Sequence, residues 1–494
     1  MAYNSEQPSF QILICLIKIW TPKDKKDPMT VPDDAMLISE VENIEIVESY
    51  KKLIGTASVR FPRGTVIRKT VTTFNADEAA KDKALQATID DAGVVEETRS
   101  STSVAGVENF KIGQRIRIYL GYTDDPKIAA LAKVSGSKKS IFNDSNTRSQ
   151  YENSTYLAEK AMNIMFDGYI TKVSIDTPIE LHCENLASAL KQITCPKVTV
   201  KSQDTVNFLF ADDCKEKGAL KLLKDTGISL HPALKEQKYS LGKINLEPDL
   251  TVADVLTEWT KYGVCAFVTE YNGKPVVAIG RTYFSNAGKD SIVNVSGEPS
   301  EPIKVLFDYH VANNGLSLLS TDKKYLAVEA EGLGKDDKFF HLTVLRNPSY
   351  DPSDPSSGDP YRIVNDSKLS KKAMKRGARV LKNARNDKID MKLYTKIPYH
   401  SRKIPCTKKE LEEEAIKYFE SYNMNGIEGS LTLFGDLHLH TATKIQLVDT
   451  RYPGKNGIYL VNEVHTTFGT GGYRQTITMP YCIKRDKQES SNEE

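Results

Sequence analysis

Lys111-Ile112-Gly113-Gln114-Arg115-Ile116-Arg117-Ile118 is the stretch whose reading decides the fold. From Arg115 to Leu120 the chain alternates, with Ile116, Ile118 and Leu120 on one face and Arg115, Arg117 and Tyr119 on the other. That period of two predicts a half-buried antiparallel strand. After an excursion come Gly168-Tyr169-Ile170 and Val173. Near the other end Thr441–Leu447 (TATKIQL) is followed by Gly457-Ile458-Tyr459-Leu460 and Val464. Each passage reads as a strand, an excursion, and an aromatic-containing strand entered through glycine. The echo predicts two similar β domains.

Working outward, branched apolar runs bounded by Pro or Gly predict strands at Ile12–Trp20, Met36–Val47, Ala57–Phe61, Met165–Ser174 and Ile179–Cys183. The last third adds Tyr325–Ala330, Ser430–Phe434, Leu437–His440, Lys444–Val448, Ile458–Thr466 and Gln475–Met479. Between these groups the pattern changes. Asp204–Phe210 and Ala211–Leu223 read as helical. Thr251 is placed to cap a helix whose Val252, Val255, Leu256 and Trp259 share one face. A strand, Val264–Val268, and a hairpin turn at Tyr271–Lys274 follow. The expected division is a β domain over 1–200, a small α/β domain over 201–300, a second β domain over 301–482, and a charged disordered tail over 483–494. Polar insertions at about 70–109 and 126–162 read as long loops or partly helical excursions. A third, at about 366–425, reads as helical over Ser367–Asn386 and Thr407–Tyr422, with Thr407-Lys408-Lys409-Glu410 as a capping box.

The 494 residues suffice for several cores, and 67 basic against 65 acidic residues leave a net charge of +2. No global field advertises a polyanion. Seven cysteines, none in a CxxC pair, suggest a reducing compartment rather than a disulfide framework or zinc ribbon. The longest apolar run, Ile12–Trp20, is too short to cross a bilayer and contains Lys18, so no membrane insertion is expected.

Chemistry-bearing residues are few. His438 and His440 stand at i, i+2 on one expected strand, with His465 on a neighbour, so three imidazoles could converge on a metal. No acidic or cysteine cluster accompanies them, and no metal or other cofactor is expected. His182 and Cys183 are adjacent on a strand and therefore face opposite sides, which argues against a thiol–base pair. No GxSxG, P-loop or HExxH occurs, and an enzyme is not expected. One charge feature stands out: Lys368–Lys403 holds thirteen Lys or Arg against Asp387 and Asp390 alone. It reads either as a helix compensated by the acidic Glu410, Glu412, Glu413 and Glu414, or as a contact for an acidic partner or DNA. On the second reading the contact residues are Arg376, Arg379 and Arg385, supported by Lys371, Lys375 and Lys382.

Ile427–Met479, with GSLTLFGDLHLH, KIQLVD, NGIYLVNEVHTTF and GGYRQTITM, resembles the carboxy-terminal part of phage tail and baseplate hub proteins. These include the late-control-protein-D type and the hub region of type VI secretion VgrG spikes. Ser49–Pro62, Phe110–Tyr122, Phe166–Val173, Ile179–Lys191 and Val252–Tyr283 are similar in the same order. The chain departs from many hubs at His440-Thr441-Ala442-Thr443, where a Pro-Gly pair is common, and in its long insertions. The resemblance implies a mainly β (α+β) fold, with two tandem hub-type β-barrel domains flanking the small α/β domain. It implies a homotrimeric ring in the virion tail, assembled in the host cytoplasm, joining the six-fold tail tube protein to a three-fold tail tip or spike. The lumen would pass the tape measure protein and DNA. The alternative reading is a soluble nucleic-acid-binding protein acting through 368–403.

Overall fold

The computed structural model describes residues 12–22, 30–32, 34–73, 97–123, 162–174, 178–195, 197–200, 223, 226–235, 244–260, 264–272, 274–281, 292, 301–318, 326–334, 339–346, 361–365, 380–382, 388–390, 394–401, 405–422, 427–479 and 481–485. The first part is all strand: β1 (Ile12–Trp20), β2 (Met36–Ile38), β3 (Asn43–Ser49), β4 (Lys52–Arg60), β5 (Val66–Thr73), β6 (Glu97–Val104), β7 (Arg115–Thr123), β8 (Met162–Val173) and β9 (Glu180–Asn185). Period-two sequence explains them. Along β4, Leu53, Gly55, Ala57 and Val59 turn inward while Lys52, Thr56 and Arg60 face water. Ile116, Ile118 and Leu120 of β7 are buried as expected. The opposite face is not solvent, however. Arg115 is fully buried, ion-paired with Asp167, and sits 5.4 Å from the Trp20 ring centroid and 4.9 Å from that of Tyr169. Of the stretch near 70–109, the described residues include the paired strands β5 and β6, their ladder running from Val66↔Val104 to Thr73↔Glu97; the rest of the expected excursion, 74–96, lies outside the described residues.

The middle of the chain contributes β10 (Val198–Val200), β11 (Ser229–Leu230), β12 (Ile244–Leu246), α1 (Val252–Trp259), β13 (Val264–Tyr271) and β14 (Lys274–Arg281). Thr251 caps α1 as its sequence predicts. Its hydroxyl accepts from Asp254 N (3.2 Å), and the Asp254 carboxylate accepts in return from Thr251 N (2.9 Å). Val252, Val255, Leu256 and Trp259 enter one core with β13 and β14. Tyr50 and Leu53 from the first part share that core, so the middle unit is packed against β3 and β4. Of the helices expected over 204–223, only Leu223, helical and buried, lies within the described residues.

The last part runs β15 (Ile303–Leu306), β16 (Val311–Asn314), β17 (Ser317–Leu318), β18 (Leu326–Leu333), β19 (Phe339–Arg346), β20 (Tyr361–Asn365), β21 (Val380–Lys382), β22 (Lys388–Asp390), β23 (Thr395–His400), α2 (Lys408–Tyr422), β24 (Ile427–Glu428), β25 (Ser430–Phe434), β26 (Lys444–Val448), β27 (Gly457–Leu460), β28 (Glu463–Gly469), β29 (Gly472–Thr478) and β30 (Tyr481–Arg485). The insertion is not simply helical. Its β23 joins β20, β19 and β18, which precede it, in a separate sheet ordered β20-β19-β18-β23, covered by α2 through Leu411, Ala415, Tyr418 and Phe419. Thr407 starts α2 as expected, its hydroxyl accepting from Glu410 N while Glu410 accepts from Thr407 N. Within the expected helix Ser367–Asn386, the described residues Val380–Lys382 are strand, paired with Lys388–Asp390. β30 reaches Arg485, inside the stretch expected to begin a disordered tail.

The chain is mostly β, with large antiparallel sheets. Its two ends are not separate bodies. One thirteen-stranded sheet runs β16-β25-β29-β28-β3-β4-β9-β8-β7-β1-β2-β5-β6, so β3 of the first part pairs directly with β28 of the last. Among the described residues this ladder does not close on itself into the two barrels the resemblance implies.

Candidate functional site

Strand register shows that the first and last parts share one module. In the first, β3, β4, β9, β8 and β7 are neighbours in that order; in the last, β16, β25, β29, β28/β27 and β26. Chain order is the same in both, and every one of these pairings is antiparallel. The turns entering β7 and β26 agree atom for atom. Gln114 N donates to Lys111 O (3.2 Å) and Thr443 N to His440 O (3.3 Å). Lys111 N donates to Gln114 Oε1 (2.8 Å), and His440 N to Thr443 Oγ1 (3.3 Å). The third residue of each is left-handed, Gly113 at φ 87° and Ala442 at φ 61°, the geometry of a type II turn. Then Gly113 N donates to Ile170 O (2.8 Å) and Ala442 N to Val461 O (2.9 Å). The glycines that the sequence aligns are not the equivalent ones. Gly168 opposes Ile116 while Gly457 opposes Leu447, two positions apart in the shared frame.

The functional candidates sit around the seam between modules. β3 and β28 pair from Asn43↔Gly469 to Ser49↔Glu463. Phe468 and Tyr473 of the last part enter the first part's core, and the Tyr122 hydroxyl donates to Tyr473 O (3.0 Å). Gly435 is required beneath that ring, since a β-carbon there would lie 2.2 Å from Tyr473 Cγ.

The three histidines do not converge. Gly435–Leu437 is a 3-10 turn, not the start of a strand, and His438 follows it at φ 48°. That left-handed residue breaks the alternation on which a shared face for His438 and His440 depended. His438 Nδ1 lies 3.2 Å from the Tyr473 hydroxyl, and burial, with His440 nearby, pushes its pKa down to about 4. His440 Nδ1 instead meets Glu48 Oε2 across the seam at 3.2 Å. Desolvation pushes this imidazole down, but the Glu48 hydrogen bond and charge, with Glu270 and the Ile164 carbonyl, hold it above its ordinary range. His465 Nε2 meets Glu45 Oε1 at 2.7 Å, also across the seam. Among the described residues no cluster of three or more His, Cys, Asp or Glu is arranged to hold a metal ion.

Cys183 is buried, its thiol pushed far up by desolvation, while His182 is partly exposed on the other face. Of the basic contact residues, Lys371, Lys375, Arg376, Arg379 and Arg385 lie outside the described residues, and Lys382 is placed only as part of β21. Within the same segment Lys396 is spent internally, paired with Glu329 at 2.8 Å. The acidic helix is likewise engaged: Glu414 accepts from Tyr399 and Ser401 hydroxyls at 3.0 and 2.9 Å. Sequence reasoning missed Glu45 and Glu48 as partners of the histidines. Only the β3–β28 register brings them together.

No family model matches the chain, and no curated protein does. Solved structures do. A tail protein from Neisseria meningitidis MC58 aligns at 10% identity with a TM-score of 0.43, covering 96% of this chain and 97% of that one. The prophage MuSo2 43 kDa tail protein from Shewanella oneidensis aligns at 10% identity and TM-score 0.43, covering 95% and 98%. A chain of the Francisella PdpA–VgrG complex aligns at 9% identity and TM-score 0.38, covering 95% of this chain and 57% of that one. Among the described residues no helix is long and apolar enough to cross a membrane.

Proposed function

We propose that the chain is a structural hub of a phage or phage-like tail, acting as a homotrimeric ring between the tail tube and the tail tip or spike. The observation that carries the reading is the duplicated module. Two copies of one five-strand unit per chain give six similar units in three chains, the number a six-fold tube requires, while the unduplicated middle and inserted units keep three-fold symmetry for a tip. The collinear sequence resemblance supports the same assignment. The role is scaffolding rather than catalysis: the thiol of Cys183 is buried and the seam histidines are bound to carboxylates. On this reading a ring of such modules encloses a lumen for the tape measure protein and DNA, and the protein belongs to the virion tail. The second reading is a nucleic-acid-binding protein acting through 368–403, a segment in which Lys396 is paired with Glu329. Reconstruction of tails containing this chain tests the proposal. Three copies around the axis beside the tube are expected; one, two or six copies would overturn it.

A further inference from the structure

The turn His440–Thr443 lies where three parts of the chain meet. Ala442 and Leu460 of the last part enter the core that Tyr50 and Leu53 of the first part share with Val264 and Val277 of the middle unit. Two residues before Ala442, the half-buried His440 faces groups from both of the other parts. Its Nδ1 lies 3.2 Å from Glu48 Oε2 on β3, and its ring also donates to the Ile164 carbonyl on β8. Glu48 belongs to a bulge, where the register of β3 against β4 shifts between Val47 and Ser49, a device that re-aims a side chain. From the middle unit, the exposed Glu270 at the end of β13 adds a second negative charge. His440's own loop contributes His438.

This environment complements a protonated ring. A neutral imidazole carries one N–H and serves one acceptor, whereas the imidazolium carries two. Loss of the proton would set a lone pair against an acceptor and leave Glu48 and Glu270 without their common counter-charge. His438 does not replace it, because burial and the nearby His440 push its pKa down to about 4 and leave it neutral at higher pH. His440-Thr441-Ala442-Thr443 is also the place where a Pro-Gly pair is common among the hubs that the sequence resembles, so the imidazole is this chain's own addition to the turn.

We infer that the proton on His440 is a latch for the middle unit. With it bound, the turn ties β3, β8 and the Glu270 end of β13 into one joint. Without it, that end of β13 and the turn loosen from each other while the apolar core beneath stays packed. Desolvation works against the proton, but the Glu48 bond and charge, Glu270 and the Ile164 carbonyl outweigh it. The latch is therefore shut in mild acid and opens as pH rises above the ordinary imidazole range. It lies within one molecule and requires neither a ring of copies nor a tail.

Amide hydrogen exchange of the full chain, read by mass spectrometry from about pH 5.5 to about pH 8.5 with intrinsic rates divided out, tests the latch. Protection of the turn His440–Thr443 and of the Glu270 end of β13 should fall together, by at least about threefold, while that of α1 in the core stays level. His440→Gln should leave protection of both segments low and flat with pH, and His440→Lys, charged throughout, high and flat. Glu270→Gln should shrink the fall, and His465→Gln, at the other imidazole of the seam, should leave it intact. A flat wild-type profile would overturn the latch, as would a fall that survives in His440→Gln or disappears in His465→Gln. If His440→Gln does not fold, an undiminished fall in His440→Lys or in Glu270→Gln overturns it instead.

Discussion

The turns Lys111–Gln114 and His440–Thr443 have one backbone and two fates. Both tighten through the same hydrogen bonds and both carry a left-handed third residue. The second is roofed by the first module, with Ala442 in a core that includes Tyr50 and Leu53, and His440 against Glu48. Among the described residues the first turn has no such roof, and Ile112 is exposed. The difference teaches that duplication supplies the geometry, while burial at each copy depends on which neighbour stands beside it.

The largest way to break this comparison is to empty the seam. Tyr473→Ala removes a fully buried ring shared by both halves and should cost about 3–5 kcal/mol in denaturant melts. A loss under about 1 kcal/mol would mean the two modules do not depend on each other. Next comes the turn backbone. No atom lies within 4 Å of a β-carbon placed on Gly113, so Gly113→Ala isolates the cost of its positive φ and should destabilise by about 1 kcal/mol. An unchanged midpoint would separate this turn from its twin. The matching pair of side-chain changes sharpens the contrast. Thr441→Ala loses the bond to Asn462 and should cost about 1 kcal/mol, whereas Ile112→Ala in the isolated chain should stay within about 0.5 kcal/mol. Equal effects would erase the difference between covered and bare turns.

The smallest effect is in pH. The imidazole of His440 is held above its ordinary range in the folded chain, so its protonation stabilises the seam. That contribution is fully present below the unfolded value, about 6.5, and is lost as pH rises through the higher folded value. Glu48→Gln removes the charged partner. The melting-temperature gap between wild type and this variant should be widest in mild acid and narrow as pH rises. A gap that widens with pH would show that the pair does not bind a proton.

What was legible in the sequence is what neighbours in the chain decide. Alternation at Arg115–Leu120, the Thr251 and Thr407 caps, and the Tyr271–Lys274 hairpin all depend on contacts a few residues apart, and all are where the residues place them. The echo of TATKIQL was audible too, although two residues out of frame, because strand sequences constrain their period more tightly than their register. Leu437–His440 misled for a physical reason. A 3-10 turn and a left-handed residue bury Gly435 and Leu439 on a spacing that imitates a strand. Lys382 misled similarly, since one basic run suits either a helix or a hairpin strand. The pairing of Glu45 with His465 was out of reach altogether, because 420 residues separate them.

That separation governs the order of events at the ribosome. At roughly 5–20 residues per second, β3 leaves the exit tunnel on the order of 20–80 seconds before β28 is made. For that interval Asn43–Ser49 is an open edge, and the core under Phe468 and Tyr473 lacks its lid. Long-range strand pairing of this kind slows folding and lengthens exposure to neighbours on the same message. Where several copies are made at once, as the proposed role requires, the half-made module of one nascent chain would be offered the finished β28 of another. A swap there would join two molecules by the same register that normally joins one to itself.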